Sequence, residues 1–196
     1  MFLNNLREKI VAWFMHHAEG PRAKWILGLI SFTESSIFPI PPDPFLIALL
    51  MVKKRQWVFY TTLVVITSVL GGLFGYLIGL LFFDFFGAPV VSLYHLEPQL
   101  ESSRILFNDN AFWAIFTAAF TPVPYKIFTI ASGLFQINLI VFIVASILGR
   151  GIRYFIIGFL MHLFGDSMAK VFIKYFNIIT ILAVLAIIFY TLFKIL

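Results

Sequence analysis

The chain has 196 residues, of which 61% are hydrophobic, 18% aromatic and only 12% charged. One water-soluble core cannot bury that much apolar surface, so the composition excludes a soluble globular protein and indicates an integral membrane protein. The net charge of +5 at pH 7 comes from basic residues near the ends of apolar runs, which is typical of membrane orientation rather than nucleic-acid binding. Without cysteine the chain forms no disulfide.

Residues 1–19 predict a retained amphipathic helix on the membrane surface. Leu3, Leu6, Ile10, Trp13 and Phe14 recur at helical spacing, with the charged residues largely elsewhere. The apolar run within this segment is too short for a cleaved signal peptide. We expect the N-terminus to be cytoplasmic.

The next apolar segment, residues 25–52, is interrupted by prolines at positions 39, 41, 42 and 44. Proline breaks helices, and the remaining arms of about 21 and 12 Å are too short to cross roughly 30 Å of hydrocarbon. Basic residues at both ends, at 22–24 and 53–55, place both ends on the cytoplasmic side. The segment therefore predicts a re-entrant hairpin, followed by an outward span that completes a unit at residues 25–86.

The second half repeats this pattern upside down. After an external loop containing Glu97 and Glu101, an apolar stretch broken by Pro122 and Pro124 predicts a second hairpin, which enters from the opposite side. Residues 139–164 then cross inward, which completes a second, inverted unit at residues 110–164. A last span, residues 175–194, crosses outward and places the C-terminus in the periplasm.

Internal sequence similarity supports the repeat. A shift of 78 residues lays Ser68, Gly71 and Tyr76 on Ser146, Gly149 and Tyr154, and a shift of 83 lays Pro39 and Pro41 on Pro122 and Pro124. Inverted repeats with broken helices build binding sites at mid-membrane in many transporters. The predicted fold class is a single all-α integral membrane domain. It contains an inverted repeat of re-entrant helical hairpin plus transmembrane helix, an N-terminal amphipathic helix and a C-terminal transmembrane helix.

Ionisable residues gather at the proline turns and in the fourth apolar segment: Glu34, Asp43, Lys126, Arg150 and Arg153. Buried acids and cations normally pair, and we expect the acids of one half to meet the cations of the other. The excess of cations suits an anion such as a lipid phosphate, which arginine can hold at two points. Protonation of an acid would release its arginine and couple movement to the proton gradient. Alternatively, the paired charges are structural struts between the halves.

Six prolines are expected to shape the cavity around these charges: Pro39, Pro41, Pro42, Pro44, Pro122 and Pro124. A ridge of Gly71, Gly75 and Gly79 predicts close helix packing, and whether it joins two subunits of a homo-oligomer stays undecided. No catalytic, metal-binding or cofactor-binding constellation has convincing spacing, so we predict no enzyme activity, metal or cofactor.

Several motifs in order, "ESSIFPIPPD", "GGLFGYLIG", "FTPVPYKIFTIASG" and "GRGIRY", resemble the DedA family of the SNARE-associated/VTT superfamily, in particular its small YqaA-like branch. The resemblance covers residues 25–164. It implies two facing hairpins in a bacterial inner membrane and movement of polyprenyl phosphates or phospholipids between leaflets, often linked to the proton-motive force. It implies roles for Glu34, Asp43, Arg150 and Arg153. Typical members carry "GRFxPxxR" where this chain has "AAFTPVPYKIF", so Lys126 would replace an arginine there.

The first functional hypothesis is a lipid translocase or scramblase for an anionic lipid. The expected partners are membrane lipids with anionic head groups and protons, with no nucleic acid. The alternatives are a proton-coupled exporter of a small solute or cation and a non-transporting membrane scaffold.

Overall fold

The structure is a computed structural model that describes residues 20–38, 40–83, 85, 91–93, 97–121 and 123–165. These residues form helices and short turns, without a β-strand among them, and the all-α prediction is confirmed for them. The predicted N-terminal amphipathic helix, the C-terminal span, Pro39 and Pro122 lie outside the described residues.

The helices, which we label α1–α7, are α1 (Ala23–Ser36), α2 (Asp43–Val52), α3 (Trp57–Phe82), α4 (Glu97–Asp109), α5 (Ala111–Phe120), α6 (Tyr125–Leu134) and α7 (Leu139–Phe164). A short 3-10 helix, Lys54–Gln56, precedes α3. The acidic loop expected after the first span contains α4 instead. The order Glu97-Pro98 favours a helix start, because an acid suits the positive end of the helix dipole and proline fits its first turn.

Helices α3 and α7 are long and apolar enough to cross a membrane. Each has 26 residues, or about 39 Å at 1.5 Å per residue. They run antiparallel, because Trp57 at the start of α3 stacks on His162 near the end of α7, while Tyr76 packs on Phe142 near the start of α7. Large apolar side chains cover their outer faces, as lipid contact requires.

The start of α1 lies close to the end of α2. Lys53 Nζ, just after α2, lies 3.5 Å from the carbonyl oxygen of Gly20, just before α1. Helix α1 packs along α3 and runs parallel to it, with Ser31 bonded to the Val64 carbonyl and Ser35 bonded to Ser68. Helix α2 therefore returns the chain to the end at which α1 began.

The sequence pattern predicts that the helical arm after the prolines begins at Phe45, whereas α2 begins two residues earlier, at Asp43. Pro42 is its N-cap and Pro44 lies in its first turn, where a missing N–H breaks no helical hydrogen bond. Asp43 is therefore the first residue of a helix rather than part of an irregular turn. Seven of the ten residues of α2 are buried, namely Asp43 and residues 45–50, so this helix is enclosed on nearly every side.

The second helix pair, α5 and α6, packs in a similar way. Helix α5 lies on α7, where Gly149 leaves room for Ala119 and the Phe116 carbonyl. Helix α6 crosses to α3 and runs parallel to it, with Tyr125 over Gly72 and Thr129 over Gly75. In both pairs, the first helix contacts the long helix that follows it and the second contacts the other long helix.

The glycine ridge of α3 is filled by the same chain. A methyl group at Gly71 would overlap the Phe32 carbonyl of α1, and one at Gly79 would overlap the Ile130 carbonyl of α6. Gly75 is covered by the side chain of Thr129. The ridge thus allows the backbones of α1 and α6, one helix from each pair, to pack directly against the backbone of α3.

Candidate functional site

The two arginines of the predicted site lie at the middle of the membrane-length helix α7. Arg150 and Arg153 are about 17 and 21 Å along a helix about 39 Å long. They are one turn apart and lie on the same side of α7, facing the other helices. Charge at this depth is costly in hydrocarbon, so each guanidinium requires partners within the protein.

Arg150 is almost fully enclosed, with 2% of its side chain exposed. Its Nη2 lies 3.2 Å from Oε2 of Glu34 on α1, and its Nη1 donates to the Tyr154 hydroxyl at 3.0 Å. The guanidinium carbon sits 4.2 Å from the centre of the Tyr125 ring. Its Nε–H is buried and has no hydrogen-bond acceptor among the described residues.

Arg153 links the first helix pair, α1 and α2, to the second, α5 and α6. Its Nη2 lies 2.7 Å from Oδ1 of Asp43, whose side chain is 1% exposed. Its Nη1 donates to the carbonyl oxygen of Thr121, which caps the C-terminal end of α5. A cation at that end also interacts favourably with the helix dipole.

Glu34 uses one carboxylate oxygen for two partners. Oε2 faces Arg150 and also accepts from the Ser35 hydroxyl at 3.0 Å. Ser35 Oγ lies 2.8 Å from Ser68 Oγ on α3, and both serines are fully buried. Because the Ser35 proton points to the carboxylate, Ser68 is the donor in the serine pair. Oε1 of Glu34 accepts no hydrogen bond from the described residues, and this side chain is 18% exposed.

Lys126 lies between the tips of the two helix pairs but faces no carboxylate in the described part of the chain. Its Nζ donates to the carbonyl oxygen of Ile37 at 3.3 Å, at the C-terminal end of α1. The site thus contains three cations and two carboxylates, and Lys126 is the cation without a carboxylate partner among these residues.

Four of the predicted cavity-shaping prolines are described. Pro41 and Pro42 lie in the turn between α1 and α2, Pro44 lies in the first turn of α2, and Pro124 is the N-cap of α6. These prolines lie between the two helices of each pair or at the start of the second helix, and the residues that end the first helices, Ile37 and Thr121, supply carbonyl oxygens as acceptors for Lys126 and Arg153.

The structure also assigns neighbours that the sequence pattern did not single out. Tyr125 is fully buried beneath Arg150, and its hydroxyl donates to Ser146 at 2.6 Å. Ser35 holds Glu34, as described above. A signal for Tyr125 exists in hindsight, since it follows Pro124 directly and adjoins Lys126.

The described residues are helical and include two membrane-length helices and two helix pairs interrupted by prolines. Two ion pairs lie at the middle of one of the long helices. These features indicate a membrane protein of transporter-like architecture. The VTT domain matches residues 40–163, and the chain belongs to this family, the DedA/SNARE-associated family.

Two relatives extend the match over most of the chain. An "Uncharacterized protein" of Haemophilus influenzae is 30% identical over 183 residues, which cover 91% of this chain and 93% of the relative. A second uncharacterized protein, from Histophilus somni, is 28% identical over 155 residues, which cover 78% of this chain and 77% of the relative. No solved structure matches the chain.

Proposed function

We propose that the protein moves an anionic lipid, a polyprenyl phosphate or a phospholipid, between the leaflets of a bacterial cytoplasmic membrane. The observation that carries the proposal is the buried guanidinium of Arg150, which lies at the middle of α7 with an N–H that has no acceptor in the described part of the chain. A phosphate oxygen is a suitable acceptor for that N–H, because guanidinium groups bind phosphate through charge-assisted hydrogen bonds.

The packing of the helices supports an inverted repeat. Helices α1 and α2 would enter from the cytoplasmic side and α5 and α6 from the periplasmic side, so that both turns meet at mid-membrane. The antiparallel α3 and α7 and the exchange of second helices between the two units fit this arrangement. Basic residues at 53–55 favour a cytoplasmic position for the start of α3.

The balance of charge favours an anion over a cation. Each arginine already has a carboxylate, and Lys126 adds a cation without one among the described residues. A phosphate that replaced Glu34 at Arg150 would be neutralised at the depth where an unpaired anion is most costly. Glu34, the more exposed of the two acids, could then take up a proton, which would couple lipid movement to the proton gradient.

The proposal is tested in proteoliposomes that contain fluorescent phosphatidic acid, with fluorescent phosphatidylcholine as the zwitterionic comparison. Dithionite quenching from outside measures how fast the inner-leaflet lipid reaches the outer leaflet. We expect the parent protein to accelerate phosphatidic acid movement and Arg150→Ala to abolish the acceleration. Arg104→Ala is the matched control, because Arg104 is an arginine outside the site that contacts Gln136 on the protein surface.

Equal rates with the parent protein and Arg150→Ala would contradict the proposal. Movement of protons with a small solute, without lipid movement, would favour the exporter instead. If the parent protein moved neither, while Arg150→Ala lost stability, the charge pairs would be structural struts.

A further inference from the structure

Two partners of Glu34 share one of its carboxylate oxygens, Oε2. Arg150 Nη2 and the Ser35 hydroxyl both approach Oε2, at 3.2 and 3.0 Å. A carboxylate and a guanidinium that met without interference would form two parallel hydrogen bonds. Here a single contact holds the pair, and none of the residues that the structure describes accepts the Nε–H of Arg150.

We propose that Ser35, supported by Ser68, is a positioning residue that holds the Glu34 carboxylate when an anionic phosphate takes its place on Arg150. The inference rests on the proposed function and deepens it, since it specifies where the displaced carboxylate goes.

The serine pair is built to hold a carboxylate. Ser68 donates to Ser35, and Ser35 donates to Glu34, so that both hydroxyl protons are directed along one chain toward the acid. Both side chains are fully buried between α1 and α3, where a hydrogen bond to a charged group is stronger than in water. Without this donor, a carboxylate that left Arg150 would be poorly solvated, so it would resist displacement.

A neighbouring serine provides a matched control. Ser31 lies one helical turn before Ser35, is equally buried and also bonds across to α3, but its acceptor is the Val64 carbonyl and not Glu34. Ser31→Ala and Ser35→Ala each remove one buried hydroxyl from the α1–α3 contact. A difference in anion binding between them therefore reports the contact with Glu34.

The experiment measures binding of dioctanoyl phosphatidic acid to the full chain in detergent by titration calorimetry, with inorganic phosphate as a second probe. We expect Ser35→Ala to weaken phosphatidic acid binding about tenfold, the scale of one hydrogen bond to a charged group, and Ser31→Ala to leave it unchanged. In a Glu34→Gln background, Ser35→Ala should change the affinity by less than about twofold, because no carboxylate remains to be held.

Ser68→Ala provides a second test if Ser35→Ala does not fold. It leaves the Ser35 contact in place but removes its donor, and we expect a weaker effect in the same direction. Unchanged affinity in the foldable serine variants, or an equal loss with Ser31→Ala, overturns the inference while leaving the proposed function intact. If neither the parent protein nor Glu34→Gln binds either probe, both fail. If inorganic phosphate bound as tightly as phosphatidic acid and lost the same affinity in Ser35→Ala, the role of Ser35 would stand and the ligand would be free phosphate.

Discussion

The ion pair between Asp43 and Arg153 offers the sharpest test of how the two helix pairs are held together. Asp43→Asn keeps the size of the side chain and removes its charge, which leaves Arg153 without its 2.7 Å partner. Removing one member of a buried ion pair typically costs about 3–5 kcal/mol. Arg153 is 14% exposed and keeps its bond to the Thr121 carbonyl, so we expect a loss near the lower limit, about 3 kcal/mol.

The measurement is the free energy of unfolding in mixed micelles titrated with sodium dodecyl sulfate. Lys126→Met is the comparison, because its bond to the Ile37 carbonyl is long, at 3.3 Å, and exposed to solvent, so that it should be worth less than about 1 kcal/mol. The double variant Asp43→Asn/Arg153→Gln should recover part of the loss, since it leaves no unpaired charge. A cost for Asp43→Asn no larger than that for Lys126→Met would refute the reasoning.

Three further outcomes are expected. Gly79→Ala should destabilise the protein far more than Gly151→Ala, because a methyl group at Gly79 meets backbone and one at Gly151 meets nothing within 4 Å, and thermal unfolding distinguishes the two. Tyr125→Leu should cost about 2 kcal/mol more than Tyr125→Phe in the same unfolding assay, since only phenylalanine keeps a ring under Arg150; equal losses would contradict this role. In this cysteine-free chain, single cysteines at Lys54 and Glu101 should react with an impermeant maleimide from opposite sides of the membrane, and labelling from one side would disprove the orientation.

The ion pairs show how far the sequence could predict the site. The prediction that acids of the first half meet cations of the second agrees with the contacts of Glu34 with Arg150 and Asp43 with Arg153. Charge and depth favour pairing in general, but they do not select partners. The selection depends on how α1 and α7 are each placed against α3, where Gly71 of α3 admits the Phe32 carbonyl of α1 and Gly158 of α7 admits Thr61 of α3. For the same reason the bond of Lys126 to a carbonyl oxygen was not predictable.

The internal repeat shows which contacts the alignment of the two halves does not predict. The shift that matches Gly71 with Gly149 places Gly72 opposite Arg150 and Gly75 opposite Arg153. In the first half those glycines leave room for Tyr125 and Thr129, and in the second half the arginines pair with acids of the first half. Matching positions in the two halves thus make different contacts. Sequence similarity between the halves does not reveal that the long helix of the second half carries the buried arginines and that of the first half carries glycines instead.

The enclosure of α2 has a consequence for biogenesis. Ribosomes deliver this ten-residue helix to the membrane before α3 and α7, yet its seven buried residues include contacts with both long helices. The apolar side chains of α2 and the Asp43 carboxylate therefore lack their final packing partners until Arg153 has left the ribosome. We therefore expect α2 to reach its final position only after α7 has been inserted. A chain that stops before α7 should leave the Asp43 carboxylate unpaired and become a substrate for quality-control proteases.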